Sequence, residues 1–296
     1  MRLFFMKYFF VLGSNPTLSI AELSTVLFLS GEVRILWPDI FVAEIPAELG
    51  AKTLISRLGG VIKIGRIIGE TKTKGNKEIL DIVKRQLPEN FSNKFKFGFS
   101  NYGASDINLK VLGMATKKFL VDKKISARWV TSREKVLSSV VVEQNKMIDR
   151  GVEIVFLSDK DKIFIGRTEA VQPFKELSQR DYGRPGRDDY AGMLPPKLAM
   201  MMINLTGLTK INVEMQDFAS VQNAMILDPF CGSGTILTEA MLLGFENLIG
   251  ADISAKAIED TRKNMEWTRK NFPRPRGKQF SPTAGQAILN YSIEMQ

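Results

Sequence analysis

The stretch AMILDPFCGSGTILTEA, residues 224–240, decides how the C-terminal part of this chain folds. MILDPF is a short apolar run, as expected of a strand covered on both faces. Two glycines, Gly232 and Gly234, follow it. SGTILTEAMLLG then reads as a helix, with Ile236, Ala240 and Leu243 on one face and Gly244 as its stop. NLIGAD is the next strand, and it ends in Asp252. SAKAIEDTRKNMEWTRKNF is the next helix. Ser254 caps it, and Ile258, Thr261, Met265, Thr268 and Phe272 share a face. The order is strand, glycine turn, helix, strand with a terminal acid, helix. It predicts one half of a doubly wound nucleotide-binding sheet.

Each part of the turn has a chemical use. Gly232 and Gly234 let the backbone bend tightly and let a ligand approach it. The helix after Ser233 opens with unpaired N–H groups. Asp252 lies about 20 residues beyond, where a carboxylate meets ribose hydroxyls. Asp228 ends the first strand and can accept a hydrogen bond. A dinucleotide fingerprint needs a third glycine where Leu237 stands, and no Gly-Lys-Ser/Thr is present for a P-loop. S-adenosylmethionine has a ribose diol and no pyrophosphate, so it suits Asp228, Pro229, Phe230, Cys231, Gly232, Ser233, Gly234 and Thr235, with Asp252. Another nucleotide-like ligand stays open. Cys231 beside a helix N-terminus could be a nucleophile. No partner base is identifiable, and a small residue is needed there in any case.

The chain has 296 residues, 44% hydrophobic and 25% charged, enough for about two domains with real cores. A net charge of +9 favours an anionic partner, nucleic acid before a membrane surface. One cysteine and no histidine exclude an internal disulfide and Ser-His-Asp catalysis, and leave no structural zinc or other metal site to expect. The reducing cytoplasm is the natural compartment. No run approaches about 20 apolar residues, and Lys7 interrupts the N-terminal one, so no membrane span is expected.

Upstream, residues 7–12 read as a buried first strand. A helix with Ile20, Leu23, Val26 and Leu27 at helical spacing follows, with Ser19 as cap and Gly31 past its end. A strand-rich stretch covers 59–70, and a helix 76–87. Phe95, Phe97 and Phe99 alternate as in a half-buried strand. Residues 106–124 predict an amphipathic helix with a basic face, and SARWVTS a strand. SSVVVEQNKMIDRG predicts a helix capped by Gly151, and 152–171 a hairpin. Residues 174–196 are rich in Gly, Pro, Arg and Asp and read as a linker or structured loop. KLAMMMINLTG restarts as a helix with Leu198, Met201, Met202 and Leu205 on one face.

The segments ILDPFCGSGTILTEA, IGADIS and RDYGRPGRDDYAGMLPPKLA resemble THUMP-domain RNA methyltransferases, most closely the archaeal-type tRNA guanosine-N2 methyltransferases. YFFVLGSNPTLSIAELSTVL resembles the small domain that begins them. The resemblance implies an α/β fold in four parts: a ferredoxin-like part at 1–50, a THUMP RNA-binding domain at 51–168, an active-site loop at 169–196, and an incomplete Rossmann-like methyltransferase domain at 197–296. It implies that Ile253 lies beside the adenine. It also implies that Arg184, Pro185, Gly186, Arg187, Met193, Leu194 and Pro195 close over cofactor and substrate. Lys110, Lys117, Lys118, Lys123, Lys124 and Arg128 would contact tRNA phosphates, with Arg184 and Arg187.

The family's chemistry uses an Asp/Asn-Pro-Pro-aromatic motif that holds the exocyclic amine of a flipped guanine. The only Pro-Pro here is LPPK at 194–197, without acid or aromatic. No third strand with a closing acid is evident after Phe272. The expectation is a truncated, impaired tRNA methyltransferase whose catalytic residues are unknown, with a second chain supplying the missing half. The alternative is a non-catalytic tRNA-binding protein. A DNA methyltransferase is disfavoured by the N-terminal region.

Overall fold

The computed structural model describes residues 5–27, 33–36, 39–45, 48–72, 75–103, 107–159, 162–188, 192–209, 211–212, 217–218, 224–272 and 287–290. In chain order the elements begin with β1 (Met6–Leu12), α1 (Pro16–Leu27), β2 (Val33–Leu36), β3 (Ile40–Ile45), α2 (Ala51–Ile55), β4 (Val61–Thr71) and α3 (Asn76–Lys84). They continue with β5 (Phe95–Tyr102), α4 (Leu109–Asp122), β6 (Ala127–Val130), α5 (Ser139–Gln144), β7 (Gly151–Asp159), β8 (Lys162–Val171), α6 (Phe174–Tyr182) and α7 (Pro196–Leu205). The last are β9 (Ile211–Asn212), β10 (Asp217–Phe218), β11 (Met225–Asp228), α8 (Thr235–Leu243), β12 (Asn247–Asp252), α9 (Ala255–Asn271) and β13 (Ala287–Asn290). Two compact units result. The first holds residues 1–16, 29–55 and 61–172; the second holds 17–28, 56–60 and 173–296.

The first unit is built on one eight-stranded sheet, in the order β2-β3-β1-β4-β8-β7-β5-β6. Strands from either side of residue 50 share it. β1 pairs antiparallel with β3 and with β4, and β5 runs parallel to β6 and β7. The expected hairpin is the antiparallel pair β7–β8. Phe95, Phe97 and Phe99 are all buried and pack with Ile79, Leu112, Leu120 and Phe156. The expected cap at Gly151 is corrected. Lys146, at φ 54, takes the left-handed turn that ends α5, and Met147 N donates to Val142 O at 3.0 Å. Gly151 instead opens β7, where a side chain would collide with the Lys96 carbonyl.

A charged network lies inside this unit. Lys63 on β4 and Glu153 on β7 are buried on strands either side of β8, and Lys63 Nζ donates to Glu153 Oε1 at 2.6 Å. Ser100 Oγ at 2.5 Å and Thr168 Oγ1 at 2.6 Å also donate to that carboxylate. Lys63 Nζ and Ser100 Oγ in turn hold the carbonyl and the N–H of Leu137.

The second unit carries the three-stranded parallel sheet β11-β12-β13. Asp228 lies opposite Gly250, and Asp252 opposite Asn290. The expected helices are present: Gly244 ends α8 at φ 105, and Ser254 Oγ accepts from Ala257 N to cap α9. Ile258, Thr261, Met265, Thr268 and Phe272 are buried, as their spacing predicts.

Four expectations are corrected in this unit. A third strand does follow Phe272, at AILN; it is only four residues long, and as expected no acid closes it, since it ends on Asn290, an amide. The loop expected at 174–196 includes α6, whose Leu177 and Arg180 are buried. α7 buries Met200, Met201, Ile203 and Asn204, while Met202 and Leu205 are exposed. Apolar spacing misplaces that face because a polar residue, Asn204, anchors it: its Nδ2 donates to Glu22 and to the Arg57 carbonyl. Finally, Ser19 is buried inside α1 and does not cap it. The helix opens at Pro16, whose missing N–H is harmless at the first helical position. Gly31 lies outside the described residues.

Glu22, on α1, accepts from Gly59 N, Gly60 N and Asn204 Nδ2 at 2.7–2.9 Å. Burial pushes its carboxyl above the ordinary value of 4.5, and those three donors hold it back. A raised folded-state value means the folded chain binds this proton more readily than the unfolded chain. Stability therefore falls as pH rises from the ordinary value through the folded one. Urea unfolding followed as pH rises above the ordinary value of 4.5 should show that slope, and Glu22→Gln should reduce it.

Candidate cofactor site

The turn between β11 and α8 is held from three sides. Along the chain, Asp228 Oδ1 accepts from Phe230 N at 3.2 Å, and Gly234 N donates to Cys231 O at 2.7 Å. Gly232 and Gly234 sit at φ 50 and φ 81. From β12, the Ala251 carbonyl accepts from Cys231 N at 2.9 Å. The Asp252 carboxylate accepts from Gly232 N and Ser254 N, both at 2.9 Å. Each of its oxygens keeps a lone pair for a further donor.

α9 supplies the third side. Thr261 Oγ1 donates to the Gly232 carbonyl at 2.7 Å and lies 3.6 Å from Cys231 Sγ. Asn264 Nδ2 donates to the Ser233 carbonyl at 2.8 Å and to the Gly186 carbonyl at 2.7 Å; its Oδ1 accepts from Gly186 N. One amide thus ties the RPG segment at 184–186 to the glycine turn. Arg184 Nη1 adds a second tie, donating to Thr235 Oγ1 at 2.5 Å.

The surroundings suit an adenosine. A side-chain carbon built on Gly232 would meet nothing within 4 Å, so space opens above the turn. Phe230 and Ile253 stand 86% and 69% exposed beside it, offering apolar faces. Asp252 offers acceptors for ribose hydroxyls. The residues present therefore fit S-adenosylmethionine. Burial, followed by repulsion from Asp252, raises the Asp228 carboxyl, while the Phe230 N–H lowers it. Burial raises the Cys231 thiol, which keeps it protonated and inert as a nucleophile.

Other expected residues lie elsewhere. Arg187 folds back on α6, with Nη1 donating to the Tyr182 carbonyl at 2.8 Å. Met193 and Leu194 are half-buried and Pro195 is exposed; they form the approach to α7. In the first unit, Lys110, Lys117 and Lys118 stand exposed on α4, Lys123 and Lys124 at its end, and Arg128 on the edge strand β6. Exposed Val111, Met114 and Val121 are interleaved with them. Among the described residues, no group of three or more acids or cysteines could hold a metal ion, and no helix is long and apolar enough to cross a membrane. Thr261 lies on the buried face that its spacing predicts; that it and Asn264 brace the turn has no signal in the sequence.

A family model described as DNA methylase matches residues 70–263. The tRNA (guanine(10)-N2)-dimethyltransferase of Methanothermobacter thermautotrophicus is 39% identical over 107 residues, 36% of this chain and 27% of that protein. The enzyme of the same name from Methanocaldococcus jannaschii is 25% identical over 270 residues, 86% of this chain and 69% of that protein. This chain therefore spans well under two thirds of the first relative. The crystal structure of TrmN from Thermus thermophilus superposes with a TM-score of 0.51 at 15% identity, over 97% of this chain and 73% of that one; it shares the fold.

Proposed function

Since the chain belongs to the DNA methylase family, we propose that it is an S-adenosylmethionine-dependent methyltransferase chain acting on the N2 amine of a guanosine in tRNA. One observation carries this reading: the glycine turn at 228–235 is pinned by Asp252, with open space above Gly232 and apolar faces at Phe230 and Ile253. The names of the two archaeal relatives support tRNA as the substrate. The cofactor supplies an electrophilic methyl group. Asp252 orients its ribose, Phe230 and Ile253 flank the base, and Thr261 and Asn264 keep the turn from shifting. Transfer is then mainly a matter of alignment.

Residues 51–168 serve in this reading as the THUMP-like grip on tRNA, with the α4 lysines and Arg128 on phosphates. The single cysteine fits the cytoplasm. No Asp/Asn-Pro-Pro-aromatic motif to hold the amine stands in these 296 residues. The second reading, a tRNA-binding protein without catalysis, rests on the same missing motif.

The test is methyl transfer from labelled S-adenosylmethionine to unmodified tRNA and to duplex DNA. The 296-residue chain alone should bind tRNA and transfer little or no label. Adding the C-terminal part of a longer relative should restore label in tRNA. Label in DNA and none in tRNA would overturn the substrate.

A further inference from the structure

Arg184 is a buried cation of the second unit, tied to the residue that follows the glycine turn. It is 5% exposed, and its Nε and Nη2 are buried without a hydrogen-bond partner. Such orphaned donors are costly, and more so on a charged group. Arg180, another buried guanidinium of this unit, has its acid: Nε lies 2.8 Å from Glu239 Oε1. Among the described residues, Arg184 has no carboxylate at contact distance.

The geometry points to what is missing. Nη1 is fixed on Thr235, the first residue of the helix that follows the glycine turn. That leaves the Nε–Nη2 edge, two parallel N–H donors that match the two oxygens of one carboxylate. The positive end of α8 adds to the attraction there.

We propose that Arg184 anchors the α-carboxylate of the cofactor's amino-acid tail through its Nε–Nη2 edge. The proposal rests on the S-adenosylmethionine reading above and moves Arg184 from the tRNA-contacting set into the cofactor site. Asp252 at the ribose and Arg184 at the tail would then fix both sides of the sulfonium.

Calorimetric titration of the full chain with two ligands tests it. S-adenosylhomocysteine has the tail; 5′-methylthioadenosine has the same nucleoside and thioether without it. The wild-type chain should bind the first more tightly. Arg184→Gln should weaken that binding about 10–100-fold and change 5′-methylthioadenosine binding by less than about twofold. Arg184→Lys keeps the charge without the fork and should lose part of the preference. If Arg184→Gln does not fold, Arg184→Lys decides alone. Equal weakening of both ligands, or an unchanged preference, would overturn the proposal. So would loss of tRNA affinity with an unchanged ligand preference, which would assign Arg184 to phosphate. Failure of the wild-type chain to bind either ligand would instead overturn the cofactor reading itself.

Discussion

Glu153→Leu is expected to lower the unfolding free energy of the first unit by about 3–5 kcal/mol, because it strands a buried ammonium. The carboxylate it removes receives Lys63, Ser100 and Thr168. Lys63 would be left with the Leu137 carbonyl alone, deep inside the sheet. The same change frees Ser100 Oγ, which holds the N–H of Leu137, so the segment before α5 should loosen. The double variant Lys63→Met with Glu153→Leu removes both charges and should recover part of the loss. Denaturant unfolding of the three variants measures this directly. A double variant no more stable than Glu153→Leu would mean that the carboxylate's hydroxyl partners matter more than the ion pair.

Gly234→Val should have the largest effect on the candidate site. At φ 81 the backbone lies where a β-branched residue is strained by about 1–3 kcal/mol. The added carbon would also sit 2.8 Å from the Thr261 methyl, the side chain that braces the Gly232 carbonyl. Thr261 would have to move, and the turn with it. S-adenosylhomocysteine affinity should fall by about 100-fold or more. tRNA affinity, which is assigned to the first unit, should hold. Loss of both together would show that the substitution unfolds the chain.

The site was legible where it is continuous in sequence. DPFCGSGT places two glycines, a strand end and a helix start within a few residues, and Asp252 closes the next strand. Local chemistry dictates such a turn. Its bracing was not legible. Asn264 meets Gly186 and Ser233 across long separations, and Arg184 meets Thr235. Nothing in the spacing of these residues announces the contacts. The fold shows the same divide. The amphipathic helices α4 and α9 follow from periodicity, whereas α7 turns its face toward Glu22 through Asn204, against its methionine pattern. Nothing in the sequence pairs Lys63 with Glu153, 90 residues apart; only the sheet places them together. β13 is four residues of a parallel strand, and only the pairing with β12 identifies it.

The central claim is that the turn at 228–235 holds an S-adenosyl cofactor. Titration of the 296-residue chain with S-adenosylhomocysteine, beside NAD as a control, tests it most directly. One saturable site for S-adenosylhomocysteine is expected, abolished by Gly234→Val, with no binding of NAD. Saturable NAD binding with none for S-adenosylhomocysteine would contradict it.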